Sequence, residues 1–167
     1  MLARHTRLSK AVGGLICRWK GTAPLYEQRV PQLDRPNRRP GHEGTTERAV
    51  LDVEYTDDDG RRWLDVTVRH PAAGDAAAVR LAAKKDGEAT RRAERGKHES
   101  YPGQRLTPFA VETPGRIGAE ARLWLLAQVR ALPEETQGLE LAHAYKVVSC
   151  AVQAECALQL RRAAGLQ

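Results

Sequence analysis

The run Arg48 to Pro71, RAVLDVEYTDDDGRRWLDVTVRHP, constrains the chain more than any other part of it. Two stretches of alternating polar and apolar residues flank Asp57-Asp58-Asp59-Gly60, whose Asp and Gly tolerate the positive φ of a tight hairpin turn, so the run predicts two antiparallel strands. In the first strand the alternation sets Leu51, Val53 and Tyr55 on one face and Asp52 and Glu54 on the other. In the second, Leu64, Val66 and Val68 alternate with Asp65, Thr67 and Arg69. Strands disfavour Asp, so an acid set between Leu64 and Val66 and followed by His70-Pro71 owes its position to partners elsewhere in the chain.

The flanking sequence supplies helices. Leu8, Val12, Leu15, Ile16 and Trp19 recur at helical spacing over residues 3–19, in a helix weakened by Gly13-Gly14. Residues 21–30 read as an extended segment stopped by Pro31, and residues 31–47, with three prolines and two glycines, as a mobile loop unsuited to a core. Residues 75–98 are rich in Ala, Arg, Lys and Glu, a long helix interrupted near Gly87 and ended by Gly96 or Pro102. A short strand follows at 106–113, then a helix at 118–132 that Pro133 ends. A last long helix carries its apolar stripe through Leu141, Tyr145, Val148, Val152 and Leu158. One hairpin, one crossover and helices before and after the strands predict a mixed-sheet α/β fold. The expected core spans 1–132, with 133–167 as a C-terminal helical extension.

Charge narrows the partners. With 27 Lys and Arg against 21 Asp and Glu, the net charge of +6 favours polyanions, nucleic acid first. Cys17, Cys150 and Cys156 form no CxxC pair, and five scattered histidines lack zinc-site spacing. No apolar run approaches the ~20 residues that cross a bilayer, so no membrane partner is expected and the reading is an intracellular protein.

Asp52 and Asp65 stand thirteen positions apart across the tight hairpin, close enough in space to repel unless a cation or proton lies between them. Magnesium takes oxygen ligands, keeps several waters and uses one or two carboxylates beside a substrate phosphate, which is what such a pair offers. A lysine nearby would stabilise the negative charge that develops in phosphodiester hydrolysis. The competing reading puts both acids on a solvated hairpin face, paired with Arg61 or Arg69. Glu112, in AVETPG, either serves the site or satisfies backbone groups at the Pro114-Gly115 turn.

LDVEY, the turn, WLDVTV and then AERGKHESY together resemble the restriction-like endonuclease domain of non-LTR retrotransposons, a branch of the PD-(D/E)xK nuclease superfamily. The resemblance covers about residues 20–125. It implies a restriction-endonuclease-like α/β fold in which a mixed sheet is flanked by helices, and a Mg- or Mn-dependent DNA endonuclease. It sets Asp52 as the first acid, Asp65-Val66-Thr67-Val68 as the second strand, and Lys97 with Tyr101 on the helix. Glu27 would join Asp52 and Asp65 on the metal side. Leu51 replaces the proline before the first acid, and Thr67 replaces the lysine two residues after the second, so the amine falls to Lys97, with Lys84 and Lys85 as substitutes in another helix register. The chain would be a detached or degenerate C-terminal piece of a retroelement protein, partnered in the parent element by a reverse transcriptase domain or RNA and acting in the nucleus. The alternative it leaves open is a catalytically inactive, basic nucleic-acid-binding or structural fragment of the same fold.

Overall fold

A computed structural model describes residues 2–37, 41, 42, 44–102 and 105–165. Helix α1 (Leu2–Lys20) opens the chain and leads to strand β1 (Leu25–Arg29), a 3-10 turn (Pro31–Leu33) and the two-residue strands β2 (Arg35–Pro36) and β3 (Thr46–Glu47). The alternating run folds into β4 (Val50–Asp57) and β5 (Gly60–Arg69), paired from Asp57↔Gly60 inward. Then come α2 (Ala76–Lys84), α3 (Glu88–Ser100), β6 (Leu106–Glu112), α4 (Ala119–Arg130) and α5 (Glu134–Ala163). The helical stretch after Gly74 divides because Lys85 ends α2 in extended backbone and Gly87, at φ 72°, turns the chain into α3.

The main sheet has the order β1-β4-β5-β6. β4 is antiparallel to both β1 and β5, whereas β6 runs parallel to β5 from Trp63↔Leu106 to Arg69↔Glu112. A parallel neighbour demands a crossover, which α2 and α3 provide. The result is a mixed sheet flanked by helices.

One face of the sheet packs on α1, α4 and α5 through Leu8, Val12, Ile16, Val53, Leu64, Val66, Phe109, Leu125 and Val148. Trp124 is its centre: Phe109 meets it edge-on at 5.7 Å, Tyr55 at 6.0 Å and Trp19 at 6.3 Å between ring centroids. Its indole N–H donates to the Tyr55 hydroxyl at 2.8 Å. Helix α5 belongs to this core. Its Ala144, Val148 and Val152 are fully buried, and Arg18 Nη2 and Trp19 Nε1 of α1 hold Glu140 at 2.6 and 2.9 Å. Residues 134–163 therefore pack as a layer of the domain and not as an appendage.

The opposite face carries a smaller cluster of Val30, Leu33, Ala49, Leu51, Trp63, Tyr101 and Leu106. Two expectations are corrected here. The segment 31–47 is not a structureless loop: β2 and β3 pair Arg35↔Glu47 and Pro36↔Thr46, Arg35 Nε meets Glu47 at 2.9 Å, and Asp34 accepts the Ala49 N–H at 2.9 Å. Leu33 thereby reaches the second cluster, while residues 38–40 and 43 lie outside the described part. Second, Leu51 does not share the environment of Val53 and Tyr55; it packs with Trp63 while they join the larger core. The alternation in β4 breaks at Asp52.

Candidate active site

The ladder between β4 and β5 runs from Asp57↔Gly60 to Val53↔Leu64 and stops there. One step further stand Asp52 and Asp65. The Val66 N–H donates to Asp52 Oδ2 at 2.5 Å, so a side chain takes the amide where the ladder has ended. The other flank of β4 is irregular at the same level. Glu27 falls between the pairs Tyr26↔Val53 and Gln28↔Leu51 and has a φ of 52°, a left-handed conformation that costs a non-glycine residue about 1 kcal/mol or more. The backbone therefore departs from regular pairing on both sides of the first acid, which frees its carboxylate to turn toward the end of α1.

There it meets a histidine. His5 Nε2 lies 2.9 Å from Asp52 Oδ1, and this hydrogen bond raises the imidazole above its ordinary value against the opposing effect of burial. Asp65 is 5% exposed, and its Oδ2 lies 2.6 Å from Lys97 Nζ. Burial drives the Asp65 carboxyl up to about 6; Lys97 pulls it down, and the Asp52 carboxylate pushes it up through both charge and a shared hydrogen bond. The same charges act on His5, which feels Asp65 and Lys97 as well as Asp52. Four ionisable groups from α1, β4, β5 and α3 thus form one electrostatic unit, with two acids at its centre, His5 at one end and Lys97 at the other.

Lys97 reaches this point because Ala93, one turn earlier on α3, is buried against the sheet. Tyr101 caps the helix, its N–H donating to Lys97 O at 2.8 Å, and its ring is buried in the second cluster beneath the Arg35 guanidinium at 4.8 Å. Burial, foremost, raises its hydroxyl. Tyr101 is thus a packing residue that fixes the end of α3 and the amine one turn before it. Glu27 is exposed on the edge strand and lines, with Thr6, Ser9, Lys10, Tyr26 and Asp52, a cleft of about 290 Å³. Glu112 stands apart: buried at the far end of β6, its carboxylate lies 3.7 Å from Arg116 Nε, and its backbone closes the following turn. Lys84 and Lys85 are exposed at the end of α2, and neither makes an ion pair with Asp52 or Asp65.

The sequence reading missed His5, which had been set aside with the scattered histidines. The signal was there: His5, Leu8, Val12, Ile16 and Trp19 continue one stripe at three- and four-residue steps, so a polar residue heads the buried face of α1. A titratable side chain on a core-facing stripe needs a buried partner.

No family model matches the chain, and no curated protein or solved structure matches it either. The site has to be judged on its own chemistry. Among the described residues no group of three or more His, Cys, Asp or Glu is placed to hold a metal ion, which leaves two carboxylates as the donor set. That set is too sparse for a zinc site. It is compatible in kind with magnesium or manganese, which complete their shell with water and substrate oxygens, although Lys97 and His5 already lie beside the two acids. Among the described residues no helix is long and apolar enough to cross a membrane.

Proposed function

We propose that this chain is a metal-dependent DNA endonuclease with a restriction-endonuclease-like fold, derived from a non-LTR retroelement protein and acting on nuclear DNA. What supports the reading is the meeting of Asp52, Asp65 and Lys97 at the point where the β4–β5 ladder ends, with Lys97 Nζ 2.6 Å from Asp65. Asp52 and Asp65 would hold a magnesium or manganese ion, which would supply Lewis acidity at the scissile phosphate. The chain's own groups do the rest. Asp52 is held by the Val66 N–H and by His5, so its orientation is set before substrate arrives. Lys97 is paired with Asp65 at rest, and its amine would stabilise a phosphate oxygen bound at the acids as it gains negative charge during hydrolysis. Tyr101 holds the end of α3 and so keeps Lys97 in register. The Asp65 carboxyl, raised to about 6, is ionised and able to bind a cation only above that pH. Glu27, lining the cleft beside Asp52, is placed to add a water-mediated contact.

Nicking of supercoiled plasmid in Mg²⁺ or Mn²⁺ tests the reading, with Asp65→Asn and Lys97→Met beside the parent chain. Cleavage by the parent and not by Asp65→Asn supports it; equal cleavage by both removes Asp65 from the mechanism and the proposal with it. A second reading has its own observation: each acid already has a basic side chain beside it, Asp52 with His5 and Asp65 with Lys97. That closed arrangement fits an inactive nucleic-acid-binding relative, which would bind DNA and cut it with neither ion.

A further inference from the structure

A second cleft, of about 250 Å³, lies at the C-terminal end of β5, with Arg69, His70 and Arg92 of α3 set around an alanine-lined floor beside Glu88 and the turn to Gly74. Among the described residues the side chains of Arg69 and Arg92 have no hydrogen bond or ion pair, whereas Arg7, Arg18, Arg29, Arg35, Arg61 and Arg62 are each tied to a carboxylate. His70 accepts the Ala72 N–H on Nδ1 at 3.1 Å, which puts the proton of the neutral ring on Nε2 and makes that nitrogen a donor. The one acid in the wall, Glu88, is buried and bound by Arg91 of its own helix. Gly74, at φ 127°, sits in a conformation that strains any side chain, and a Cβ there would press on the Ala78 Cβ at 3.2 Å and touch Arg92 Nη1 at 3.9 Å. The cleft therefore offers two unpaired guanidiniums and a ring N–H beside Gly74, a donor set matched to the oxygens of a phosphate.

Its position relative to the acid pair gives it a use. Asp65, Thr67 and Arg69 follow one another on the same face of β5, so Arg69 lies about 13 Å from Asp65 along the strand. Helix α3 tracks the same path, with Lys97 beside Asp65 and, one turn and more earlier, Arg92 at the second cleft. We infer that the cleft of Arg69, His70 and Arg92 is a phosphate subsite, holding a backbone phosphate of the nucleic-acid strand whose scissile phosphate lies at Asp52 and Asp65. The inference rests on the nuclease reading for its register and on the cleft's own chemistry for its ligand.

The test is equilibrium binding of a fluorescent DNA duplex in EDTA, measured by anisotropy over a range of salt. Arg69 and Arg92 are exposed, so the Arg69→Ala/Arg92→Ala double variant keeps the fold, which its thermal unfolding verifies. The double variant is expected to bind at least about tenfold more weakly, with a salt slope smaller by about two. The control, Arg122→Ala/Arg130→Ala, removes the same charge from α4 on the other side of the sheet and is expected to cost about twofold. Inorganic phosphate at constant ionic strength should compete with the duplex on the parent chain and lose that effect in the double variant. Equal losses in the two double variants, or parent-like binding by Arg69→Ala/Arg92→Ala, overturn the subsite. So does phosphate binding in the cleft that leaves duplex affinity untouched, since the ligand is then a free anion. A parent chain that never cuts DNA while the binding difference holds sinks the nuclease reading and leaves the phosphate subsite standing.

Discussion

The two faces of the sheet hold their partners by different physics. Toward α1, α4 and α5 the contacts are mainly apolar: Phe109, Leu125, Val148 and Val152 are buried to within a few per cent, the Trp124 to Tyr55 hydrogen bond satisfies a ring donor, and the two buried acids of α5, Glu140 and Glu155, are held by Arg18 and Arg7 of α1. Toward α3 the apolar cluster is small, and buried acids take over. Asp65 pairs with Lys97, Glu88 with Arg91, and Glu94 accepts the Glu120 N–H at 3.1 Å at the start of α4. Burial on the first face is tolerant of detail, because the hydrophobic effect is non-directional. The second face depends on partners being in place, because an acid left unpaired there costs several kcal/mol. The larger core can thus support a face whose charges are arranged for chemistry at some expense of stability.

The difference predicts opposite responses to substitution. The largest effect falls on the charged face and is read in activity: Asp65→Asn is expected to lower the nicking rate by about 10³-fold and Lys97→Met by about 10²-fold, with circular dichroism checking that both proteins are folded. On the apolar face Phe109→Ala is expected to cost about 3–5 kcal/mol in urea unfolding, by transfer and cavity terms together. Leu51→Ala, in the smaller cluster, should fall near 2 kcal/mol.

Next in size is a pH effect of the charged face. The folded Asp65 carboxyl titrates near 6, above the 3.8 of a free side chain, so the native state holds this proton more tightly than the unfolded chain does. Its contribution to stability is full below about pH 4 and is lost as pH rises through about 6. His5, raised above 6.5 by Asp52, loses its own contribution at higher pH in the same direction. Asp65→Asn removes the first of these, so its stability relative to the parent should climb by an amount of order 2 kcal/mol between pH 4 and 7. A flat difference across that range would mean the acid is not strained by its burial. The smallest effect lies at the start of α2, where Asp75 accepts the Ala78 N–H at 2.7 Å; Asp75→Ala is expected to cost about 1 kcal/mol and leave cleavage unchanged.

Local pattern made much of this fold legible. The Asp-rich turn and the two alternations set the β4–β5 hairpin, and the apolar stripes of α1, α4 and α5 set the helices of the larger core. Asp65 stood out because an acid inside a strand contradicts propensity, and Lys97 did so only through its spacing from Tyr101. Other features depend on tertiary contacts that no window reveals. Proline and glycine marked 31–47 as a loop, yet Asp34 and Arg35 fold it back by pairing with Ala49 and Glu47. Leu51 looked like a partner of Val53 because alternation was assumed to continue through Asp52, where the ladder ends instead. His5 lies forty-seven residues from Asp52 along the chain, and only the packing of α1 beside the sheet brings them to 2.9 Å.

Calorimetric titration of the protein with Mn²⁺ tests most directly whether the two acids form a cation site. One divalent site is expected in the parent chain above pH 7, lost in both Asp52→Asn and Asp65→Asn, and weakened below pH 6 as Asp65 takes up its proton. Absence of binding in the parent, or binding that survives both substitutions, would contradict the account.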